Sequence, residues 1–490
     1  MIVNTTYGGI EGIKESSVFT FKGIPYAKPP IGPLRFSRPE KPEPWNGIFQ
    51  AKDFGYRAIQ QNSFAANDLP ETSEDCLTLN IATTSVEKSN KPVVVWIHGG
   101  QFTYGSGLDY FYKGINFVRN GDIVFLTVNY RLGALGFLHL GNQLGENYEA
   151  SGNCGILDII EALQWVKENI SHFGGNPDNV TIMGESAGGK CAASLLIIPE
   201  AKGLFHKAII ESGSIQAIRD KQTAARITSR LLKELRLSED EAFKLKTIPA
   251  KDILEAQNRI APGIEGLHIF GPVIDNKIIV ESPLNIIRKG NANKVKVLIG
   301  TNKDECNLFT ATNDRLANKD RELVSKLFGV NSHIVWRAYE NSCKDTLESA
   351  AWNEVLTDYI YRIASTRLMN VLAEMGWDVW AYRFDFQSSI GAVHAMELPF
   401  IFINFELEYD FLKQLGLSPT DFQLNKLGKI MHNAWISFIK EGNPHTKEIS
   451  NWNKYSTDRK ELMVFDKNCR MDTFKDLRED ELFPDQVLTL

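Results

Sequence analysis

Short, mostly continuous apolar runs recur along this chain: Val93–Ile97, Ile123–Val128, Val180–Met183, Ala208–Ile210, Val295–Ile299 and Val379–Phe386. Their continuity predicts strands buried on both faces, as in a parallel sheet covered by helices. Between the runs the period changes. In Cys154–Glu168, residues Ile156, Ile159, Ile160, Leu163 and Val166 recur at helical spacing and predict a buried helix face. A second amphipathic pattern spans Leu427–Lys440. Alternation of strands and helices predicts an α/β fold. The first fifty residues carry Pro25, Pro29, Pro30, Pro33, Pro39, Pro42 and Pro44, and read as short strands and a meandering loop.

Two strongly helical stretches, at about 217–260 and 310–375, interrupt the alternation. Each follows a strand, and active sites of parallel sheets form where the carboxyl ends of strands emerge. The expectation is one domain over residues 1–490 with these insertions roofing a site; the plainer alternative is solvated helical packing on the periphery. No repeat or low-complexity linker divides the chain.

Composition narrows the classes. With 43% hydrophobic and 23% charged residues the chain has the makeup of a globular protein with a large core. A formal net charge of −6 and the absence of a basic, aromatic-interleaved cluster argue against nucleic-acid binding. No apolar stretch approaches membrane-spanning length. The N-terminus lacks the charged and apolar regions of a signal peptide. Six cysteines, at 76, 154, 191, 306, 343 and 469, contain no Cys-x-x-Cys pair, which suits reduced thiols rather than disulfides or zinc. A cytoplasmic monomer is the expectation, and the Asn-x-Ser/Thr triplets at Asn4, Asn169 and Asn179 read as accidental.

The candidate chemistry starts at Asn179-Val-Thr-Ile-Met-Gly-Glu-Ser186-Ala-Gly-Gly189. An apolar run ends in Gly-x-Ser-x-Gly and a small-residue helix follows, the order a nucleophile elbow needs. Gly184 and Gly188 relieve crowding around the turn. Chance alone supplies roughly 0.1–0.2 such matches in a chain this long, so the pattern needs partners. A serine nucleophile requires a base, and the base an orienting carboxylate. On an α/β-hydrolase sheet the chain order is Ser, acid, His. After Val295–Ile299 stand Asp304 and Glu305, between which residue chemistry alone does not choose. Four histidines follow. His432 lies within a helix pattern, His445 in a turn after it, and His333 in an insertion. His394 alone follows a core run by a short loop, and is the expected base. The turn His98-Gly99-Gly100-Gln101 leaves an early run and offers backbone N–H donors for an oxyanion hole, with Ala187 as the donor after the nucleophile. No histidine pair has zinc-ligand spacing, and neither a metal nor an organic cofactor is expected.

With these residues in place the chain resembles the type B carboxylesterase family, which contains bacterial para-nitrobenzyl esterases, liver carboxylesterases and cholinesterases. The blocks that carry the likeness span nearly the whole chain. They are Phe21-Lys-Gly-Ile-Pro-Tyr-Ala-Lys-Pro-Pro30, Ser73-Glu-Asp-Cys-Leu77, the His98-Gly-Gly turn, Val128-Asn-Tyr-Arg-Leu132 and Asn169-Ile-Ser-His-Phe-Gly-Gly-Asn-Pro177. Gly184-Glu-Ser-Ala-Gly-Gly189, Asn302-Lys-Asp-Glu305 and His394-Ala-Met-Glu-Leu-Pro399 complete the set. The bacterial para-nitrobenzyl esterases are the nearest in pattern. The resemblance implies an α/β-hydrolase fold, Glu305 as the acid, and oxyanion donors at Gly100, Gln101 and Ala187. It also implies a supporting role for Glu185 and pocket walls at Ile269, Phe270 and Phe309. The implied activity is hydrolysis of small to medium carboxylic esters through an acyl-enzyme, with a small-molecule ester as the only partner.

Departures from the family pattern carry their own expectations. Gln101 stands where many members have a third glycine, so its side chain intrudes and disfavours bulky tertiary-alcohol esters. Cys306 replaces a glycine after the acid and either crowds the site or exposes a thiol. Cys76 has no preceding cysteine to pair with. Phe64–Ser73 carries no tryptophan to hold a quaternary ammonium, which removes most support for a cholinesterase. Two rival functions are a non-catalytic binding module, disfavoured by the retained Ser186, Glu305 and His394, and a lipase, disfavoured by the charge of the insertions.

Overall fold

Burial on both faces is what the apolar runs deliver. Val93, Val95 and Ile97 point into one hydrophobic layer while Val94 and Trp96, between them, point into the other. The structure, a computed structural model, describes residues 1–61, 69–87, 89–108, 114–406 and 409–474. Half of Phe64–Ser73, whose lack of tryptophan spoke against a cholinesterase, therefore lies outside the described residues.

Among the described residues, fourteen strands form two sheets. The small one joins β1 (Ile2–Thr5), β2 (Gly8–Glu11) and β5 (Ile48–Gln50). The large one begins with β3 (Ile13–Glu15), β4 (Val18–Pro25), β6 (Thr78–Thr83), β7 (Lys91–Ile97) and β8 (Val124–Val128). It continues with β9 (Gly175–Glu185), β10 (Lys207–Glu211) and β11 (Lys296–Asn302). It ends with β12 (Val379–Phe384), β13 (Glu461–Phe465) and β14 (Arg470–Thr473). The order is β14-β13-β12-β11-β10-β9-β7-β8-β6-β4-β3. From β8 to β13 every pairing is parallel, and the antiparallel pairs lie at the two edges. This is the α/β-hydrolase architecture, and each of the six apolar runs contributes a strand to it.

Helices cover both faces. Cys154–Asn169 and Ala187–Leu195 pack on one side, and the twenty-residue helix Phe422–Glu441 on the other. Asp158 reaches from the first of these to the loop after β8. It clamps Arg131 by a buried bidentate contact, Nε–Oδ2 at 2.8 Å and Nη2–Oδ1 at 2.6 Å.

The two helical insertions sit differently. In the first, the helices Lys221–Glu234 and Ala250–Ile260 pack beside residues 133–149, where Gln257 accepts the Ala134 N–H and Lys221 pairs with Glu149. The second contains Arg321–Phe328, Ser332–Ser342, Glu348–Thr357, a π-helical turn Asp358–Arg362, and Ile363–Glu374. It has a core of its own, built on Leu316, Leu323, Leu327, Trp352 and Leu356.

Candidate active site

Register sets the site. Glu185 at the end of β9 pairs with Glu211 at the end of β10, and Glu211 pairs with Gly300 of β11. The residues that follow therefore emerge side by side. The ladder carries on one step past the ends: Ser186 donates its N–H to the Glu211 carbonyl and Ser212 to that of Gly300, each at 2.9 Å.

Ser186 sits between β9 and the helix Ala187–Leu195 at φ 53°, ψ −117°, a conformation a non-glycine residue adopts only under constraint. The constraint is tight packing of the turn. A Cβ on Gly188 would lie 1.9 Å from the Ile97 carbonyl oxygen, and one on Gly184 2.5 Å from the Gly188 carbonyl carbon. Glycine is the residue that fits at both.

His394 Nε2 lies 3.0 Å from Ser186 Oγ, and His394 Nδ1 lies 2.8 Å from Glu305 Oε2. Glu305 Oε1 accepts from Ser212 Oγ at 2.6 Å and from the Asn302 N–H at 2.7 Å, which fixes the carboxylate from two strand ends. Ser186, Glu305 and His394 are all buried, at 5%, 0% and 8% exposure. Water competes little with these contacts there. Asp304, the alternative carboxylate, turns away and accepts the Ala392 N–H at 2.9 Å.

Glu185 Oε1 is 3.3 Å from His394 Nε2, off hydrogen-bond geometry. Burial first, and then the Glu305 charge, hold the Glu185 carboxyl well above the ordinary carboxylate range. Two more buried carboxyls stand behind it. Glu397, bonded to Asn302 Nδ2, is pushed up to about 8 by burial and then by Glu185 and Glu305. Glu211 is raised too, mainly by burial, while Trp435 Nε1 donates to it at 2.6 Å.

The loop after β7 adopts left-handed backbone at three consecutive residues, Gly100 (φ 106°), Gln101 (φ 55°) and Phe102 (φ 62°). Its Gly99 packs on Ser186: a Cβ there would fall 3.3 Å from the serine Cβ. Among the described residues, no hydrogen bond takes up the N–H groups of Gly100, Gln101 or Ala187.

Phe309, half-buried, lies with its ring 5.5 Å from that of His394 and stacks on Tyr361 at 6.4 Å. Ile269 and Phe270 belong to the main core and have no described contact with the three residues; their neighbour Gly271 packs against the Phe102 ring. The Cys306 thiol is buried rather than exposed, and its pKa is driven far up by burial. Of the other histidines, His432 bonds the Ile401 carbonyl, His445 that of Trp452 and His333 that of Val330, so each has a local partner.

Several neighbours of the site were not expected from sequence. Ser212 carries no motif, only its place one residue past a strand end. Tyr361 is delivered by the π-helical turn Asp358–Arg362, and its hydroxyl lies 3.4 Å from His394 Nε2. Such turns frequently mark functional sites, but no periodicity announces them.

A serine, an imidazole and a carboxylate joined in line at the carboxyl edge of an α/β-hydrolase sheet define a serine hydrolase. Comparison with known proteins narrows that class. The model of the carboxylesterase family matches residues 1–482, and the chain belongs to that family. It is 37% identical to the para-nitrobenzyl esterase of Bacillus subtilis, over 99% of this chain and 98% of that protein. It is 30% identical to the phenmedipham hydrolase of Pseudarthrobacter oxydans, over 94% of each. Among solved structures, a carboxylesterase of Geobacillus stearothermophilus superposes with TM-score 0.85 at 37% identity, covering 96% of this chain and 97% of that one. A thermophilic PNB esterase gives TM-score 0.88 at 35% identity, with 98% and 99% covered. The protein is a carboxylic-ester hydrolase.

Proposed function

We propose that this enzyme hydrolyses small to medium carboxylic esters through an acyl-enzyme, with Ser186 as nucleophile, His394 as general base and acid, and Glu305 as the orienting carboxylate. The unbroken line from Ser186 Oγ through both ring nitrogens of His394 to Glu305 supports this reading most directly.

In the first half-reaction Ser186 Oγ bonds to the acyl carbon as Nε2 takes the hydroxyl proton. Glu305 accepts the Nδ1–H throughout, keeps the ring in that tautomer, and stabilises the imidazolium. The carbonyl oxygen becomes an oxyanion, held by the N–H groups of Gly100, Gln101 and Ala187. The imidazolium then gives its proton to the leaving alkoxide, and the C–O bond breaks. Water repeats the sequence on the acyl-serine, releasing the acid and restoring Ser186. Burial and the Glu305 charge raise the Glu185 carboxyl, which disfavours a second charge beside the ring.

The second insertion roofs the site through Tyr361, and Phe309 forms part of the pocket wall. Ile269 and Phe270 complete that wall in this reading, behind the glycine loop. The relatives named for para-nitrobenzyl esters and for phenmedipham favour small aryl-bearing substrates. A single domain over the whole chain, a monomer in solution and a bacterial cytoplasmic location complete the proposal. They are supported by bacterial relatives and by six unpaired cysteines, four of them buried. Among the described residues no helix is long and apolar enough to cross a membrane.

A series of para-nitrophenyl esters of rising acyl length, run beside Ser186→Ala, tests the reading. The wild type should turn over the short and middle members, and the variant should lose ~10⁴-fold or more in kcat with its melting temperature kept. Equal rates in both proteins would remove Ser186 from the mechanism.

A further inference from the structure

One turn beyond Ser186, on the same helix, stands a lysine for which the mechanism has no use. Lys190 donates its backbone N–H to the Ser186 carbonyl at 2.9 Å, so its side chain leaves the helix on the face that carries the nucleophile. The residue is 1% exposed, and its ammonium has no hydrogen-bond acceptor and forms no ion pair among the described residues. What it does have is the face of Tyr361, with Nζ 5.8 Å from the ring centroid. That same ring lies 4.7 Å from the ring of His394.

Lys190 is not alone. Arg219 is also 1% exposed; its Nε and Nη2 donate to the His268 carbonyl at 3.2 and 2.9 Å, while Nη1 has no acceptor. His268, 4% exposed, leaves Nδ1 unpaired. The three sense one another electrostatically: Lys190 and Arg219 both depress the His268 imidazole, which burial and these charges take down to about 3. Burial lowers the Lys190 amine to about 8, and Glu185 opposes that shift while Arg219 adds to it. No hydrogen bond or ion pair joins Lys190 to Glu185 among the described residues.

An isolated buried cation is costly unless an anion joins it, and two such cations with open donors are rarer still. Their direction matters as much as their number. Lys190 faces the ring that touches the catalytic imidazole, and a Cβ on Gly271 would lie 2.9 Å from Arg219 Nη1 and 3.2 Å from the Phe102 ring, which places the open Arg219 nitrogen near the side chain that follows Gln101.

Resting on the esterase reading above, we propose that Lys190, backed by Arg219 and His268, is an anion subsite, and that the preferred substrates are esters carrying a carboxylate a few bonds from the scissile carbonyl. The ammonium on its four-carbon stem swings from Tyr361 to the incoming carboxylate. That contact offsets the burial of both charges.

Two matched pairs of esters test the proposal. On the acyl side, mono-para-nitrophenyl adipate is compared with para-nitrophenyl hexanoate; on the alcohol side, phenyl acetate bearing a para-carboxylate is compared with its para-methyl analogue. Background hydrolysis is subtracted from each. At low ionic strength the wild type should favour the anionic member of at least one pair by about tenfold in kcat/KM, the size of one desolvated charge contact. Lys190→Met should invert that ratio, lowering the anionic rate and raising the neutral one, and Lys190→Arg should restore the preference. The idea is overturned if the wild type favours the neutral member of both pairs, a result that needs no variant to fold. It is also overturned if Lys190→Met folds and leaves the ratio unmoved. Failure of the esterase reading looks different: both members of each pair would then be hydrolysed as fast by Ser186→Ala as by the wild type.

Discussion

At the residue scale, the site's chemistry is a matter of which carboxyl the fold supplies with donors. Glu305 accepts from Ser212, Asn302 and His394, while Glu185, Glu211 and Glu397 stand within the same buried layer with far fewer donors. Sequence chemistry left Asp304 and Glu305 open, and only family likeness chose between them. The physical choice depends on Ser212, ninety-three positions away, and no local pattern announces it. The serine and the histidine were legible because each follows an apolar run; Tyr361 and Lys190 were not, because nothing in a helical stretch says which turn will meet the site. The raised carboxyls have a consequence for stability. Glu397 in the fold titrates at about 8 against an ordinary 4.5. Below the lower value both states hold the proton, so no pH dependence arises. Between the two values the unfolded chain releases it while the fold keeps it, and stability falls as pH rises, by up to about 1.4 kcal/mol per unit. Above the upper value the loss is complete. Glu397→Gln cannot titrate, so its melting temperature should gain on the wild type between about pH 5 and about pH 8. A constant difference across that window in thermal unfolding would show that Glu397 is not held protonated.

At the element scale, the apolar runs predicted strands because a parallel sheet tolerates no polar face. Boundaries were less legible. β9 begins at Gly175, before its apolar core, because Gly175 pairs with Lys91 of β7. β11 runs on to Asn302 because Thr301 and Asn302 pair with Arg383 and Phe384 of β12. Pairing partners, not hydrophobicity, decide such ends. The elbow is the element on which the site depends, and its glycines are a packing requirement. In Gly188→Ala the new methyl would meet the Ile97 carbonyl oxygen at 1.9 Å, a backbone atom that cannot turn aside as a side chain would. Relief requires the helix Ala187–Leu195 to move off β7, which carries Ser186 away from His394. The variant should lose stability by about 1–3 kcal/mol and nearly all esterase activity. Denaturant unfolding together with an ester assay checks both, and full activity with unchanged stability would contradict this account of the turn.

At the scale of the whole molecule, three hydrophobic clusters divide the labour among the described residues. Two sandwich the large sheet; the third belongs to the second insertion and reaches the site through Tyr361. The two insertions looked alike in sequence, both helical and charged, and the fold separates them. One packs beside residues 133–149, and the other meets His394. Tertiary placement of an amphipathic helix depends on what its apolar face finds, which lies far off in the chain. The order Ser, acid, His was readable because strand ends can be counted in sequence. The subsite above them was not, because it is assembled from three separated stretches. The proposed mechanism requires one activated serine per chain, Ser186. Rapid mixing with a para-nitrophenyl ester measures it most directly. A burst of nitrophenolate should extrapolate to one equivalent per chain, with the acyl group found by mass spectrometry on the peptide containing Ser186. An acyl group carried on another residue, or steady turnover by Ser186→Ala, would contradict it.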